Sequence, residues 1–449
     1  PRDELFQVSD DYLFHTALGI LDLRQRPRIR AFPRLDRFER FASVLVYVPR
    51  ELHTTALRER LGGILEEAVN GEVSIDYTQI SDDPLARIHY ILRTKPGTGI
   101  DPDPVILQQK LTQAARRWED GLADALAEQW GDGEGARLAA RYDATSFSAG
   151  YKDMFTAEEA LNDITKMESL TGADDMAMIL YRPGDAAASS FRLKVFNPGT
   201  AVDLSDMLPM LEHMGLKVID ERPHRVSPKS GAIPVVWVQD LGVADPDGKA
   251  LDLSKFRNQF RETFARASQG QIESDGFNRL VLAAGLQWRQ VVVIRAICKY
   301  LRQAAIAFSQ EYMEGTLARN PAITALLVDL FEARFDPAVG KDRAKRVKSI
   351  ERRITKRLDQ VQNLDEDRIL RRYLNVIQAT LRTNFYQSAE DGGPKSYVSF
   401  KISSGEVDEL PLPRPHVEIF VYSPRMEGVH LRGGRVSRGG IRWSDRRED

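Results

Sequence analysis

The stretch HLRGGRVSRGGIRWSDRRED, residues 430–449, holds two Gly-Gly pairs, each preceded by arginine: Arg432-Gly433-Gly434 and Arg438-Gly439-Gly440. Glycine lacks a Cβ, so main chain built from it can approach a ligand closely and take φ > 0. Arg432, Arg435, Arg438 and Arg442 stand beside that backbone. A guanidinium fork grips a carboxylate through two parallel hydrogen bonds. Types and spacing together describe a carboxylate-binding Gly-Arg loop. They equally describe a β-hairpin whose tight turns need glycine and whose arginines face water. The stretch has no G-x-G-x-x-G, so it is not a dinucleotide loop, and no G-x-x-x-x-G-K, so it is not a phosphate loop.

Elsewhere the chemistry-bearing residues read as structural. The seven histidines (His15, His53, His89, His213, His224, His416 and His430) show no metal-ligand spacing and no HExxH pattern, so no metal site is expected. Cys298 lies in an apolar helical stretch without a nearby histidine and reads as a small core residue. Residues 341–357 carry nine Lys/Arg against two acids. Val347, Ile350, Ile354 and Leu358 form an apolar stripe behind those charges, so a solvated helix face is expected rather than a nucleic-acid surface.

The elements that must position these residues fall into blocks. Residues 27–48 read as a hairpin turning at Asp36 to Arg40, followed by an amphipathic helix, TTALRERLGGILEEAV. Two strands follow, EVSIDYTQI and ARIHYILRT, then a break at 95–104 and a helix from about Val105 to Gln129. Strand, helix, strand, strand, helix is the split βαβ order of ferredoxin-like domains. Residues 130–170 read as a helical connector, with a helix start at Thr156. The order then repeats in fold type, without visible sequence identity. DMAMILYRPG and FRLKVFNPG are strands, AVDLSDMLPMLEHMG a helix capped by Asp203 or Ser205 and stopped by Gly215. LKVIDERPH and IPVVWVQDLGV are strands, and a helix follows with Phe256, Phe260 and Phe264 on one side. From Ile272 to Tyr386 the period is helical, with Pro321 opening one helix. Near Lys395 strands resume in YVSFKIS, HVEIFVY and GVHLRGG, a region too short to close a core alone.

These blocks predict an α+β, multi-domain chain. The expected division is a first ACT-like α+β domain at 1–130, a helical connector at 131–170 and a second ACT-like domain at 171–271. A helical region at 272–390 and the beginning of a further β-containing domain at 395–449 complete it. Paired ferredoxin-like units are either effector sites, as in regulatory ACT domains, or scaffolding.

The formal net charge of −2 over 449 residues gives no reason to expect a polyanion or an anionic membrane as partner. One cysteine excludes an intrachain disulfide and fits a reducing compartment. The most apolar stretch, Val291 to Phe308, is interrupted by Arg295, Lys299 and Arg302, and reads as a buried helix and not a membrane span. Pro1 in place of Met, without a charged and apolar leader after it, predicts a processing edge and no signal peptide.

EIFVYSPRMEGVHLRGGRVSRGGIRWSDRRED closely resembles the start of the catalytic region of the large bacterial NAD-dependent glutamate dehydrogenases. RFERFASVLVYVPRE, PLARIHYILRT and LPMLEHMGLKVIDERPH resemble the same family in the same order. The resemblance implies an internal fragment: two ACT-like modules, the helical region and the first strands of the catalytic part. It implies oxidative deamination of L-glutamate to 2-oxoglutarate and ammonia, with hydride passing to NAD, in a cytoplasmic enzyme. NAD would be bound by the missing part of the enzyme, with no cofactor held in this chain. The imine step needs a lysine of lowered pKa in a glycine-rich segment, and no lysine follows Lys401. Arg438-Gly439-Gly440-Ile441-Arg442 is similar to the Lys-Gly-Gly-x-Arg motif of the smaller glutamate dehydrogenases. The resemblance thus makes Arg438, Gly439, Gly440 and Arg442 the substrate-binding residues. Arg438 would hold a carboxylate, the glycines would admit the main chain, and Arg442 would orient the loop or pair with Asp445. Implied partners are the downstream catalytic domains of the same polypeptide, a second copy of the chain and an amino-acid effector, with no nucleic acid and no membrane. The alternative is a stand-alone amino-acid effector-binding protein.

Overall fold

The computed structural model describes residues 8–80, 83–95, 102–172, 175–184, 186–231, 233–434 and the main chain of 440–445. The chain divides into two compact units, residues 1–139 with 155–161, and residues 140–154 with 162–449.

The first unit begins with α1 (Asp10–Gln25), β1 (Arg30–Leu35) and β2 (Phe41–Pro49). Next come α2 (Thr55–Val69), β3 (Gly71–Gln79), β4 (Leu85–Thr94) and α3 (Pro104–Ala114). Thr54 caps α2 through its side chain, and Asn70 ends it in the left-handed region at φ 51°. Asp103 caps α3, with Pro104 in the first turn. The sheet order is β1-β2-β4-β3, every pairing antiparallel, so β4 splits the β2–α2–β3 crossover as the element order predicts. Val44, Val46, Ile88 and Leu92 meet Leu57, Leu61 and Leu65 of α2 in a buried core. A smaller cluster of Leu23, Phe32 and Leu85 places α1 against the opposite face.

The helix expected from Val105 to Gln129 is instead two. α3 stops at Ala114 and α4 runs Trp118–Arg141, with a break at Gly131, φ 78°. Glycine takes that conformation without steric cost, so the helical period of 118–141 conceals a bend beyond the expected helix. α5 (Ala149–Met154) and α6 (Ala157–Glu168) follow. Thr156 caps α6 reciprocally: its hydroxyl accepts from Glu159 N at 3.2 Å, and the Glu159 carboxylate accepts from Thr156 N at 2.9 Å.

In the second unit β5 (Ala177–Tyr181), β6 (Ser190–Pro198), α7 (Leu204–His213), β7 (Lys217–Val226), β8 (Val236–Ala244) and α8 (Leu253–Ser268) repeat the plan. The sheet order β5-β6-β8-β7 matches the first sheet strand for strand. Asp203 holds the cap position of α7, and Gly215 turns at φ 83°. Phe256, Phe260 and Phe264 are all buried against the inner face, Phe260 and Phe264 with ring centroids 6.1 Å apart.

The outer face of this sheet is also covered, and by charge. Lys194 of β6 donates to Asp163 of α6 at 2.7 Å, and the Tyr151 hydroxyl donates to the same carboxylate oxygen at 2.6 Å. Arg192 bridges Asp240 and Asp220, each at 2.8 Å. His224 is buried beside them, edge-on to Tyr151. Burial pushes the His224 imidazole below its ordinary pKa, and Lys194 and Arg222 add to that while Asp240 opposes it. The folded state therefore binds fewer protons than the unfolded state as pH drops past about 6.5. The stability His224 contributes is complete above that pH and declines as pH falls through the ordinary range towards its lowered folded value. Urea midpoints measured from pH 7.5 to 5.0 should fall, and His224→Phe should flatten the fall over its upper part. An unchanged slope in that variant would exclude His224 as its source.

α9 (Leu280–Ala283), α10 (Trp288–Gln303), α11 (Gln310–Arg319), α12 (Pro321–Phe335), α13 (Arg343–Leu358) and α14 (Leu364–Ala379) form the helical block. In α13 Ile350, Ile354 and Leu358 are buried and Val347 half-buried, so the apolar stripe is core, while the lysines and arginines from Lys345 to Arg357 are exposed. Cys298 is buried, and burial pushes its thiol up to about 12.

Strands resume earlier than the period implies. β9 (Thr380–Thr383) follows α14 directly and pairs with β10 (Val398–Ile402), so the helical reading up to Tyr386 is corrected. Ladder hydrogen bonds to β10 and the β-branched Thr380 and Thr383 outweigh an apolar spacing that continued the helix. β11 (Val417–Tyr422), β12 (Met426–Arg432) and β13 (Gly440–Asp445) complete an antiparallel sheet, order β13-β12-β11-β10-β9. Its apolar residues Val398, Phe400, Ile402, Phe420 and Val429 share one buried core with the helices and with the second βαββα sheet. The short region thus closes on a neighbour and not on itself.

Candidate functional site

Part of the Gly-Arg stretch belongs to the β12–β13 hairpin. Leu431 pairs with Gly440 and Val429 with Arg442, so Gly433-Gly434 leaves β12 at the end where Gly440 opens β13. Register thus brings the first Gly-Gly pair and Gly440 to one end of one hairpin. Arg435 to Gly439, including Arg438 and Gly439, lie outside the described residues, and Gly440 and Arg442 are placed as main chain only. Beside the hairpin exit, His416 N donates to Arg432 O at 2.7 Å, extending the β11–β12 ladder by one bond.

The sheet that presents this hairpin is held from beneath by α10. Tyr300 packs on Phe420, centroids 5.7 Å apart, and its hydroxyl donates to the carboxylate of Glu418, which is 1% exposed. Gln303 Nε2 donates to Glu427 Oε1 at 3.2 Å. Strand alternation explains why two acids lie inside: Glu418 shares a face with Phe420 and Tyr422, and Glu427 with Val429. Nothing in HVEIFVY marks the glutamate as the inward residue, since its valines and isoleucine are equally suited to a core. These two acids under the hairpin are the functional-region residues that sequence reasoning missed.

Deeper along α10 sits Arg295, 0% exposed. Its Nε and Nη2 reach the two oxygens of Asp275 at 2.8 and 2.7 Å, and Nη2 also donates to Asn278 Oδ1 at 2.7 Å and Glu273 O at 3.3 Å. One turn on, Lys299 donates to Gln310 Oε1 and lies 3.5 Å from Glu273. Burial lowers the Lys299 pKa and raises that of Glu314. A lysine of lowered pKa is often a catalytic base, but Lys299 is 7% exposed and fixed by Gln310 and Glu273 inside the helical block. It stiffens the platform beneath the sheet.

Among the described residues no three His, Cys, Asp or Glu side chains converge to hold a metal ion. No described helix is long and apolar enough to cross a membrane.

Comparison with known proteins places this geometry. The model described as "Bacterial NAD-glutamate dehydrogenase, catalytic domain" matches residues 353–449, a span that contains the whole hairpin. Glutamate dehydrogenase ACT2 and ACT3 domain models match 30–119 and 175–256, the two βαββα units. Helical motif models 1, 2 and 3 of glutamate dehydrogenase match 1–26, 125–170 and 272–337. The chain is 42% identical over 449 residues to the NAD-specific glutamate dehydrogenase of Halomonas elongata and 40% identical over 452 residues to that of Pseudomonas aeruginosa. It is 38% identical over 469 residues to that of Mycobacterium tuberculosis. Each alignment covers 100% of this chain and 28% of the relative's length.

Proposed function

This chain belongs with the bacterial NAD-specific glutamate dehydrogenases, and from that premise we propose that it serves such an enzyme as regulatory and scaffold segment while supplying one wall of the substrate site. The reaction is the oxidative deamination of L-glutamate to 2-oxoglutarate and ammonia. The observation that supports this reading is the β12–β13 hairpin, whose described ends, Arg432 to Gly434 and Gly440, lie at one end of a sheet anchored on α10.

In this reading Arg438 holds a substrate carboxylate by charge-assisted hydrogen bonds, and Gly439 and Gly440 let the main chain approach the same group. Arg442 orients the loop. NAD is held by sequence beyond these residues. A dinucleotide site needs adjacent parallel strands with a glycine-rich turn between strand and helix, whereas every described strand pairing is antiparallel. That pairing supports the reading that the cofactor is held elsewhere, and in this reading the 449-residue chain alone turns over no glutamate. The remaining domains of a longer polypeptide, a second copy of the chain and an amino-acid effector on the ACT-like units are the partners of this reading, in the cytoplasm and without nucleic acid.

The test is steady-state kinetics of the full-length polypeptide that carries this chain. Arg438→Ala removes a charged hydrogen-bond donor worth about 1.5–3 kcal/mol, so kcat/KM for glutamate should fall roughly ten- to a hundredfold. Arg438→Lys should retain more activity than Arg438→Ala, because charge survives while the fork is lost. Unchanged kcat/KM in Arg438→Ala would remove Arg438 from the substrate site. Glutamate-dependent NAD reduction by the 449 residues alone would overturn the scaffold reading.

A further inference from the structure

The helical block and the last sheet enclose a cavity of about 620 Å³ that the proposed reaction does not use. It lies between the end of α8, the first turn of α10, the segment before β10 and the β11–β12 turn. Its volume is that of a small-molecule site. Four cations line it, Arg266, Arg289, Lys395 and Arg425, against one carboxylate, Asp391. Arg266 is satisfied internally: it lies 4.1 Å from the Trp288 ring centroid and 3.3 Å from Glu262. Asp391 is engaged by its own turn, accepting from Gly393 N at 2.8 Å.

The other three cations have no carboxylate within ion-pair distance among the described residues. Arg289 lies over Phe385, 4.5 Å from the ring centroid, and donates only to the Phe385 main-chain oxygen. Its pKa is lowered, first by burial and then by the Arg266 charge. Cations gathered in a partly dehydrated concavity repel one another, and the repulsion is relieved when an anion enters.

We propose that this cavity binds a compact small-molecule anion carrying two or more negative charges, held by Arg289, Lys395 and Arg425. Phosphoanhydrides and polycarboxylates share the chemistry required. The site is separate from the Gly-Arg hairpin end, since Arg425 and Arg432 lie at opposite ends of β12, roughly 20 Å apart at the rise of an extended strand. A ligand on Arg425 would nevertheless pin the turn from which β12 leaves.

The experiment is calorimetric titration of the full-length polypeptide in low salt, with inorganic pyrophosphate in one arm and propane-1,2,3-tricarboxylate in the other. At least one probe should bind, and which one does identifies the source of the anion. Arg289→Ala and Arg425→Ala should each weaken that binding about tenfold or more, and Arg352→Ala on the exposed face of α13 should leave it unchanged. Arg425 is exposed on the β11–β12 turn, so its variant keeps the test valid should Arg289→Ala fold poorly. Binding of neither probe overturns the proposal, and so does binding that Arg425→Ala does not weaken.

Discussion

Arg295→Met is expected to destabilise the second unit by about 3–5 kcal/mol, the loss typical when one member of a buried ionic network is removed. Arg295 is 0% exposed, and its guanidinium joins Asp275, Asn278 and the Glu273 carbonyl. Methionine fills most of the volume but leaves the Asp275 carboxylate without its cation in low dielectric. The cost is the stranded charge more than the lost bonds. Asp275→Asn should cost less, because an amide keeps an acceptor for the guanidinium and the Glu273 carboxylate, 3.9 Å from Arg295, remains as its counter-charge. The measurement is the urea midpoint of the transition that reports α10, followed by amide exchange along that helix. A surface control, Arg352→Met on α13, should change stability by no more than about 0.5 kcal/mol. A loss in Arg295→Met no larger than the control would mean that the network around α10 contributes nothing to folding.

Asp163→Ala should cost a similar amount, about 3–5 kcal/mol, on the outer face of the second βαββα sheet. Its side chain is 1% exposed and that of Lys194 is 5% exposed, at 2.7 Å from one another. The variant leaves the Lys194 ammonium buried between the Tyr151 and Tyr181 rings, whose centroids are 5.9 and 5.4 Å from Nζ. Cation–π attraction recovers part of the loss, about 1–2 kcal/mol at most. Lys194→Met alone strands the carboxylate and should be as damaging. Asp163→Leu with Lys194→Met removes both charges and should recover most of either loss, because an apolar pair of similar volume often replaces a buried ion pair at little cost. A double variant as unstable as the worse single one would show that the pair fixes the docking of α6 in a way that packing alone does not replace.

The fold class was legible because its signals are local. The β-rich runs VLVYV and VVWVQDLGV, the helical spacing of Phe256, Phe260 and Phe264, and helix starts at Thr156 and Pro321 act within a few residues of themselves. Two split βαβ units follow from that order alone. The family was legible from the HLRGGRVSRGGIRWSDRRED stretch together with weaker upstream segments in the same order.

Tertiary contacts decided the rest. Which face of HVEIFVY turns inward depends on α10 being there to receive it, so Glu418 became a buried partner of Tyr300 against its usual preference for water. TLRT follows a helical period, yet it is a strand because β10 offers it ladder partners 17 to 22 residues away in sequence. Lys194 and Asp163 are separated by a connector and a strand, and only the packing of α6 on the sheet makes them a pair. The cationic cavity draws Arg289, Lys395 and Arg425 from segments more than a hundred residues apart in sequence at the extremes. Local physics wrote the helices and most of the strands into the sequence. Long-range burial chose which charges would be enclosed, because the cost of dehydrating a charge is set by what surrounds it and not by its neighbours along the chain.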